Sequence, residues 1–220
     1  MNFVPSYFLE LDNAKYVEVL LMTVPNTEYG KIIAETERLI IREMVSSDLN
    51  ALCKILCDEE VMCTAYESAF SVEEAQNWMN RHFRRYAEYG FGLWAVVLKE
   101  TNEMIGQCGL TFQNWREREL LEIGYLFQKA YWHKGYATEA AIACKNYAFT
   151  VLNANSVYSI IRDNHTASQK VAGRNGMRVV DKFTKNFRNV DMNFLLYCAE
   201  KIHRDYNSFT GKSTKNPSCT

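Results

Sequence analysis

No apolar run in this chain is long enough to cross a bilayer; the longest, such as YVEVLLMTV, fall far short of the roughly 20 residues a spanning helix needs. Neither charge is in excess. Twenty-five Lys and Arg stand against 26 Asp and Glu, a formal net charge of −1 with no basic stripe, so nucleic acid is not expected as a partner. The N-terminal MNFVPSYFLELDN lacks the basic segment and apolar core of a secretory signal. Metal ligands are sparse. The seven cysteines (Cys53, Cys57, Cys63, Cys108, Cys144, Cys198 and Cys219) are odd in number and scattered. Cys53 and Cys57 would make half a metal site on one helix face, but no His or Cys cluster completes it. Buried, reduced thiols in a cytoplasmic protein fit better, and no metal is expected. No internal repeat is visible. What remains, 48% apolar and 23% charged residues over 220 positions, suits one globular domain of good size or one domain with an appendage.

The pattern along the chain alternates between strand and helix. Residues 7–24 hold two β-rich runs around DNA, a candidate hairpin, before Pro25, Asn26 and Gly30 break the pattern. TERLIIREM (36–44) reads as a strand, followed by a helix capped at Ser46 or Ser47 and running to about Cys57. In SVEEAQNWMNRHFRRYAEYG, Ser71 and Glu74 form a capping box, Gly90 is the stop, and Ala75, Trp78, Met79, His82, Phe83 and Tyr86 keep helical spacing. Strands follow at 91–98, 104–112 and 120–127, turned at TNE and QNWRERE. A small-residue helix covers 135–150, a strand 156–163 and a helix 166–174. A hairpin turned at RN joins MRVVDKFTKNF to VDMNFLLYCA, and a polar, disordered tail is expected from Arg204.

YWHKGYATEA (131–140) is the most informative stretch. Gly135 permits a positive φ and a close approach to the main chain. The small residues behind it leave the helix start uncrowded, and a helix start offers free N–H groups and partial positive charge. That combination is a candidate phosphate cradle. Upstream, LLEIGYLF alternates, so Glu122, Gly124 and Leu126 share one face and Ile123, Tyr125 and Phe127 the other. Gly124 within a strand suggests a bulge or a close backbone approach.

Four segments in order, TERLIIRE, EIGYLFQKAYWHKGYATEA, RDNHTASQKVAGRNGM and the closing hairpin, resemble the GCN5-related N-acetyltransferases (GNAT), in the branch of the ribosomal-protein N-terminal acetyltransferases. They span about three-quarters of the chain. The resemblance implies an α+β fold, a mixed and mostly antiparallel central sheet with helices on both faces, in the order β-αα-βββ-α-β-α-ββ. It implies acetyl-CoA as cosubstrate and divides the chain into an extension (1–34), an acetyltransferase domain (35–203) and a tail (204–220). It also assigns the pyrophosphate of coenzyme A to the amides of His133, Lys134, Gly135, Tyr136, Ala137 and Thr138, with Trp132 where relatives outside the branch place Gln or Arg. The pantetheine arm would lie against main chain at Tyr125, Leu126 and Phe127, in a gap between this strand and the next.

Acetyl transfer needs a neutral amine. At pH 7 roughly one tenth of an α-amine is neutral and far less of a lysine, so a carboxylate that removes the proton is useful. Glu122, just ahead of the cofactor loop, is the candidate base; the bland alternative is a carboxylate that pairs with a neighbouring strand. Many members of the family use a Tyr four residues before the glycine of the GM pair as acid, but here that position is Ala172. The branch points to Ser168 instead, with helix capping or a pantetheine bond as the alternative. Its usual Asn, three residues earlier, is His165 here, leaving Asn164 and His165 both open for that contact.

Other features have plain readings beside functional ones. CDEE (57–60) could draw in a cation or end a helix in solvent. NWRERE (114–119) could gate the site or be a charged turn, and FRRY (83–86) reads as arginines turned to water. Residues 1–34 could extend the sheet, contact a second copy in a homodimer, or be remnant. Two functions follow: an N-acetyltransferase acting on a primary amine, at a protein N-terminus or on a small molecule, or a non-catalytic acyl-CoA-binding sensor of the same fold.

Overall fold

The computed structural model describes residues 29–65, 68–187 and 190–202. The hairpin expected over 7–24, the turn at Arg188 and Asn189, and the tail from Arg204 lie outside the described residues. In chain order the elements are β1 (Ile32–Glu35), β2 (Leu39–Arg42), α1 (Leu49–Leu56), α2 (Glu59–Ala65), α3 (Val72–Tyr89), β3 (Leu93–Leu98), β4 (Glu103–Trp115), β5 (Arg118–Phe127), α4 (Tyr136–Thr150), β6 (Ser156–Arg162), α5 (Thr166–Arg174), β7 (Arg178–Phe187) and β8 (Val190–Glu200). The strands form one sheet in the order β1-β2-β3-β4-β5-β6-β8-β7. All neighbours are antiparallel except β5 and β6.

Alternation along β3 divides the core. Trp94, Val96 and Leu98 join α4 and α5 residues on one face, while Leu93, Ala95 and Val97 join α1, α2 and α3 residues on the other. A strand covered on both sides reads as a continuous apolar run, as LWAVVL does. The class is therefore the expected α+β sheet with helices on both faces. Helix α3 begins and ends as its sequence dictates. Ser71 Oγ accepts from the Glu74 amide at 3.1 Å, Glu74 returns the bond to the Ser71 amide at 2.7 Å, and Gly90 takes φ +76°.

Four local expectations need correction. The single strand expected before the first helix becomes two: β1 straddles the 34/35 boundary, is four residues long and is exposed at both ends, too short for its period to register. The acidic CDEE ends one helix, with Cys57 as the C-cap of α1, and also starts another: Asp58 Oδ1 accepts from the Val61 amide at 3.0 Å, and Glu59 and Glu60 fill the first turn of α2, where negative charge suits the dipole. Neither Ser46 nor Ser47 caps the preceding turn. Asp48 Oδ2 accepts from the Val45 amide at 2.8 Å, and Arg42 grips the same carboxylate at 2.7 and 2.8 Å. The QNWRERE turn shrinks to two residues, because β4 and β5 stay paired out to Trp115 and Arg118. Arg116 and Glu117 both take positive φ, the geometry of a tight hairpin, without glycine.

Candidate active site

The parallel pair β5 and β6 is barely a pair. Its Cα register is confined to Glu122 opposite Tyr158, while β5 stays fully laddered to β4 on its other edge, from Trp115–Arg118 to Gly106–Phe127. Side chains bridge the parting. Ser159 Oγ donates to the Ile123 carbonyl at 2.8 Å, and the Ile160 amide donates to Glu122 Oε1 at 3.1 Å. Beyond them β5 presents Gly124–Phe127 toward a gap that β6 does not fill.

That gap opens into a cavity of about 410 Å³, in the range of small-molecule sites. Glu122, Tyr125, Leu126, His165 and Ser168 line it. Gly124 is neither a bulge nor a close approach: it sits in register with Gly109, and a Cβ there would meet only Leu93 Cδ2, at 3.5 Å. The backbone contact anticipated at Gly124 falls instead at Gly109, where a Cβ would lie 2.1 Å from the Gly92 carbonyl oxygen. A larger cavity, about 720 Å³, opens on the other side of the Glu122–Tyr158 contact, between Phe112, Leu121 and Leu152; it contains neither Glu122 nor any part of the glycine loop.

Glu122 sits at the junction of strand pairing and cavity. It braces β6 through the Ile160 amide, and it faces the cavity half-buried, with the side chains of Thr111 and Gln113 also bonded to it. Burial pushes its pKa up to about 7, against the opposing pull of those bonds and of the Arg85 charge. A carboxyl poised near neutrality is suited to take a proton at physiological pH.

The glycine loop lies at the far end of β5. Gly135 is the N-cap of α4 at φ +85°, His133 also has positive φ, +61°, and no side chain caps the helix. The first amide bonded back is that of Glu139, to the Gly135 carbonyl at 3.1 Å, so the amides of Tyr136, Ala137 and Thr138 are those a helix start leaves without an internal acceptor. His133, Lys134 and Gly135 are exposed. The arrangement is an anion nest at a dipole's positive end. Glu139, which would repel an anion there, is turned away. Its Oε1 accepts from Thr36 Oγ1 at 2.6 Å and from the Arg38 amide at 2.9 Å; its Oε2 accepts from Arg38 Nε at 2.7 Å.

The remaining candidates separate. Trp132 donates its indole N–H to the Phe127 carbonyl at 2.9 Å, so these two are tied to each other where strand meets loop. Tyr125 donates its hydroxyl to the Ser168 carbonyl at 3.0 Å, spanning the gap to α5. His165 is the N-cap of α5 and lines the cavity, whereas Asn164 is exposed and does not. Because α5 starts at Thr166, Ser168 lies inside the helix, and capping is not its task. Ala172 is buried in the core.

Three cavity residues escape a reading of local motifs: Arg81, Arg85 and Arg162. Arg85 corrects the expectation that FRRY faces water; Arg84 does, but Arg85 is half-buried against the site. The signal was available, since 78, 81 and 85 fall on one helical stripe with Trp78. Thr111 and Gln113 were also missed, being placed beside Glu122 only by the β4–β5 register.

Residues 38–178 match the acetyltransferase (GNAT) domain family. The uncharacterised protein YkkB of Bacillus subtilis (strain 168) is 33% identical over 142 residues, which are 64% of this chain and 83% of YkkB. An acetyltransferase of the GNAT family from Bacillus anthracis superposes with a TM-score of 0.66 at 27% identity, over 76% of this chain and 96% of that one. RimL, a ribosomal L7/L12 α-N-protein acetyltransferase solved with coenzyme A, has the same fold, with a TM-score of 0.64 at 16% identity over 77% of this chain and 98% of RimL. The chain belongs to the GNAT acetyltransferase family and is an acyltransferase.

Proposed function

We propose that this enzyme transfers the acetyl group of acetyl-CoA to a primary amine, on a protein N-terminus or a small molecule, in the cytoplasm. The pyrophosphate would rest on the amides from His133 to Thr138, and the pantetheine arm would run along Tyr125–Phe127 in the gap between β5 and β6. The amine would enter the 410 Å³ cavity and attack the thioester carbonyl carbon. A C–N bond forms, the C–S bond breaks, and Glu122 takes the amine proton. Ser168, on the cavity wall, would donate a hydrogen bond to the departing thiolate, which leaves as coenzyme A on gaining a proton. Holding both reactants in one gap supplies proximity as well as base catalysis.

The observation that carries this reading is Glu122 itself: a carboxyl at the point where the strands part, inside the cavity, with its pKa raised by burial to about 7. Glu122→Gln keeps its shape and removes its basicity. The limiting rate should fall roughly 10²–10⁴-fold at pH 7, while acetyl-CoA affinity changes little. The loss should shrink as pH rises toward the amine's own pKa, because solvent then supplies the neutral nucleophile. A pH–rate profile of both proteins with one acceptor decides it. A variant within threefold of the wild type from pH 6 to 9 would leave Glu122 as a strand brace only.

A further inference from the structure

The wall around Glu122 is more basic than amine chemistry requires. Among the described residues, Glu122 is the one carboxylate lining the cavity, against the guanidinium groups of Arg81, Arg85 and Arg162. The chain's net charge is −1, so this surplus is local. Packing barely neutralises Arg81 and Arg162. Arg81 lies over the Trp78 ring, 5.4 Å from its centroid, and Arg162 Nη1 reaches the Cys63 carbonyl at 3.4 Å; neither of these two forms an ion pair among the described residues.

Their position follows from register. Trp78 Nε1 bonds Gln107, which lies opposite Leu126, and His82 Nδ1 accepts from Leu93, whose partner Gly109 lies opposite Gly124. Helix α3 thus runs down β5 from Leu126 past Gly124, and Arg85, almost a turn further, reaches the level of Glu122. Arg162 comes from β6, across the gap. Neighbouring groups register the field: Arg85 pulls on the Glu122 carboxyl, and Arg162, after burial, adds to the lowering of His165. The phosphate cradle does not account for these cations, since it lies at the start of α4, on the opposite face of the sheet from α3. For a plain amine they are a handicap, repelling its ammonium form and weakening the base.

We infer that the acceptor is an amine carrying a carboxylate within a few bonds of its nitrogen, the anion held by Arg81 and Arg85 while Glu122 serves the amine. This rests on the amine-transfer reading above. An amino acid, or a peptide N-terminus with an acidic second residue, supplies the same chemistry.

The test follows thiol release from acetyl-CoA by the full chain with L-aspartate, its diamide, the dipeptides Ser-Asp and Ser-Lys, and spermidine. Aspartate or Ser-Asp should lead the diamide, Ser-Lys and spermidine in kcat/KM by roughly 10- to 100-fold, as expected for hydrogen bonds to a charged group. Whichever of the two leads identifies the source. Arg81→Gln, at an exposed position suited to a folded variant, should narrow the margin mainly through KM, and Arg81→Glu should turn the preference toward Ser-Lys. Equal or better rates with the diamide, Ser-Lys or spermidine would overturn the inference and leave amine transfer standing. A protein that binds acetyl-CoA by calorimetry but acetylates none of these or any wider panel of amines would overturn amine transfer, and the charge preference with it.

Discussion

Burial moves His82 and Glu122 in opposite directions. His82, enclosed under α3 and accepting from the Leu93 amide, has its pKa pushed down from 6.5 to about 3 by burial, helped by Arg85 and Arg81. Glu122 is pushed up from 4.5 to about 7. Neutral His82 contributes stability above its ordinary pKa of 6.5, and that contribution is lost as pH falls toward 3. Protonated Glu122 contributes below 4.5, and that is lost as pH rises through about 7. Between pH 4.5 and 6.5 the two slopes oppose, so the wild type should show a flattened melting profile there. Two variants separate them by calorimetry at a series of pH values. Relative to wild type, the Tm of Glu122→Gln should climb from pH 4.5 to 7 and then level off. The Tm of His82→Asn, which keeps an acceptor near the Leu93 amide, should climb as pH falls below 6.5. A difference from wild type that stays constant with pH, in either variant, would remove that residue from the account.

At the scale of elements, the decisive contact joins the residue just before β2 to the start of α4. Arg38 pairs with Glu139 at 2.6 Å, donates Nη1 to the Lys134 carbonyl at 3.0 Å and lies over the Tyr136 ring, 4.5 Å from its centroid. One side chain therefore holds the loop's carbonyl, its ring and its one acidic neighbour. Arg38→Ala should free Glu139 to face a bound anion and loosen the loop, weakening acetyl-CoA binding roughly tenfold or more by calorimetry, on the scale of charged hydrogen bonds. An unchanged affinity would make the latch irrelevant to the cradle. The sequence made the loop legible because glycine, small residues and a helix start are all local signals; the same holds for the capping box and glycine stop of α3. Arg38 was not legible as a partner of Glu139, because the pairing depends on how β2 lies beside α4. Likewise β1 was too short to show a period, and α2 was hidden because Asp58 and the acidic pair after it suit the end of one solvated helix as readily as the start of another.

Across the whole molecule, the two-faced sheet and the element order apart from β1 and α2 could be read in advance, since long amphipathic runs such as α3 and buried runs such as β3 carry their own period. The site could be read only along β5 and the loop after it. Its other wall is assembled by strand register and helix placement: the stripe of Trp78, Arg81 and Arg85 shows that these side chains share a face, but no local stretch encodes that this face, Thr111, Gln113 and Arg162 meet at one cavity. That assembly puts the glycine loop on the α4 side of the sheet and the arginine-lined cavity on the α3 side, with the gap between β5 and β6 joining them. On the functional reading proposed here, two reactants that arrive through opposite faces need not queue: both occupy the enzyme together and the acetyl group is never parked on the protein, so initial-rate plots at several fixed acceptor concentrations should give intersecting lines; parallel lines would contradict it. Either product can also leave by its own route, so each should inhibit competitively against the reactant that shares its face and not against the other.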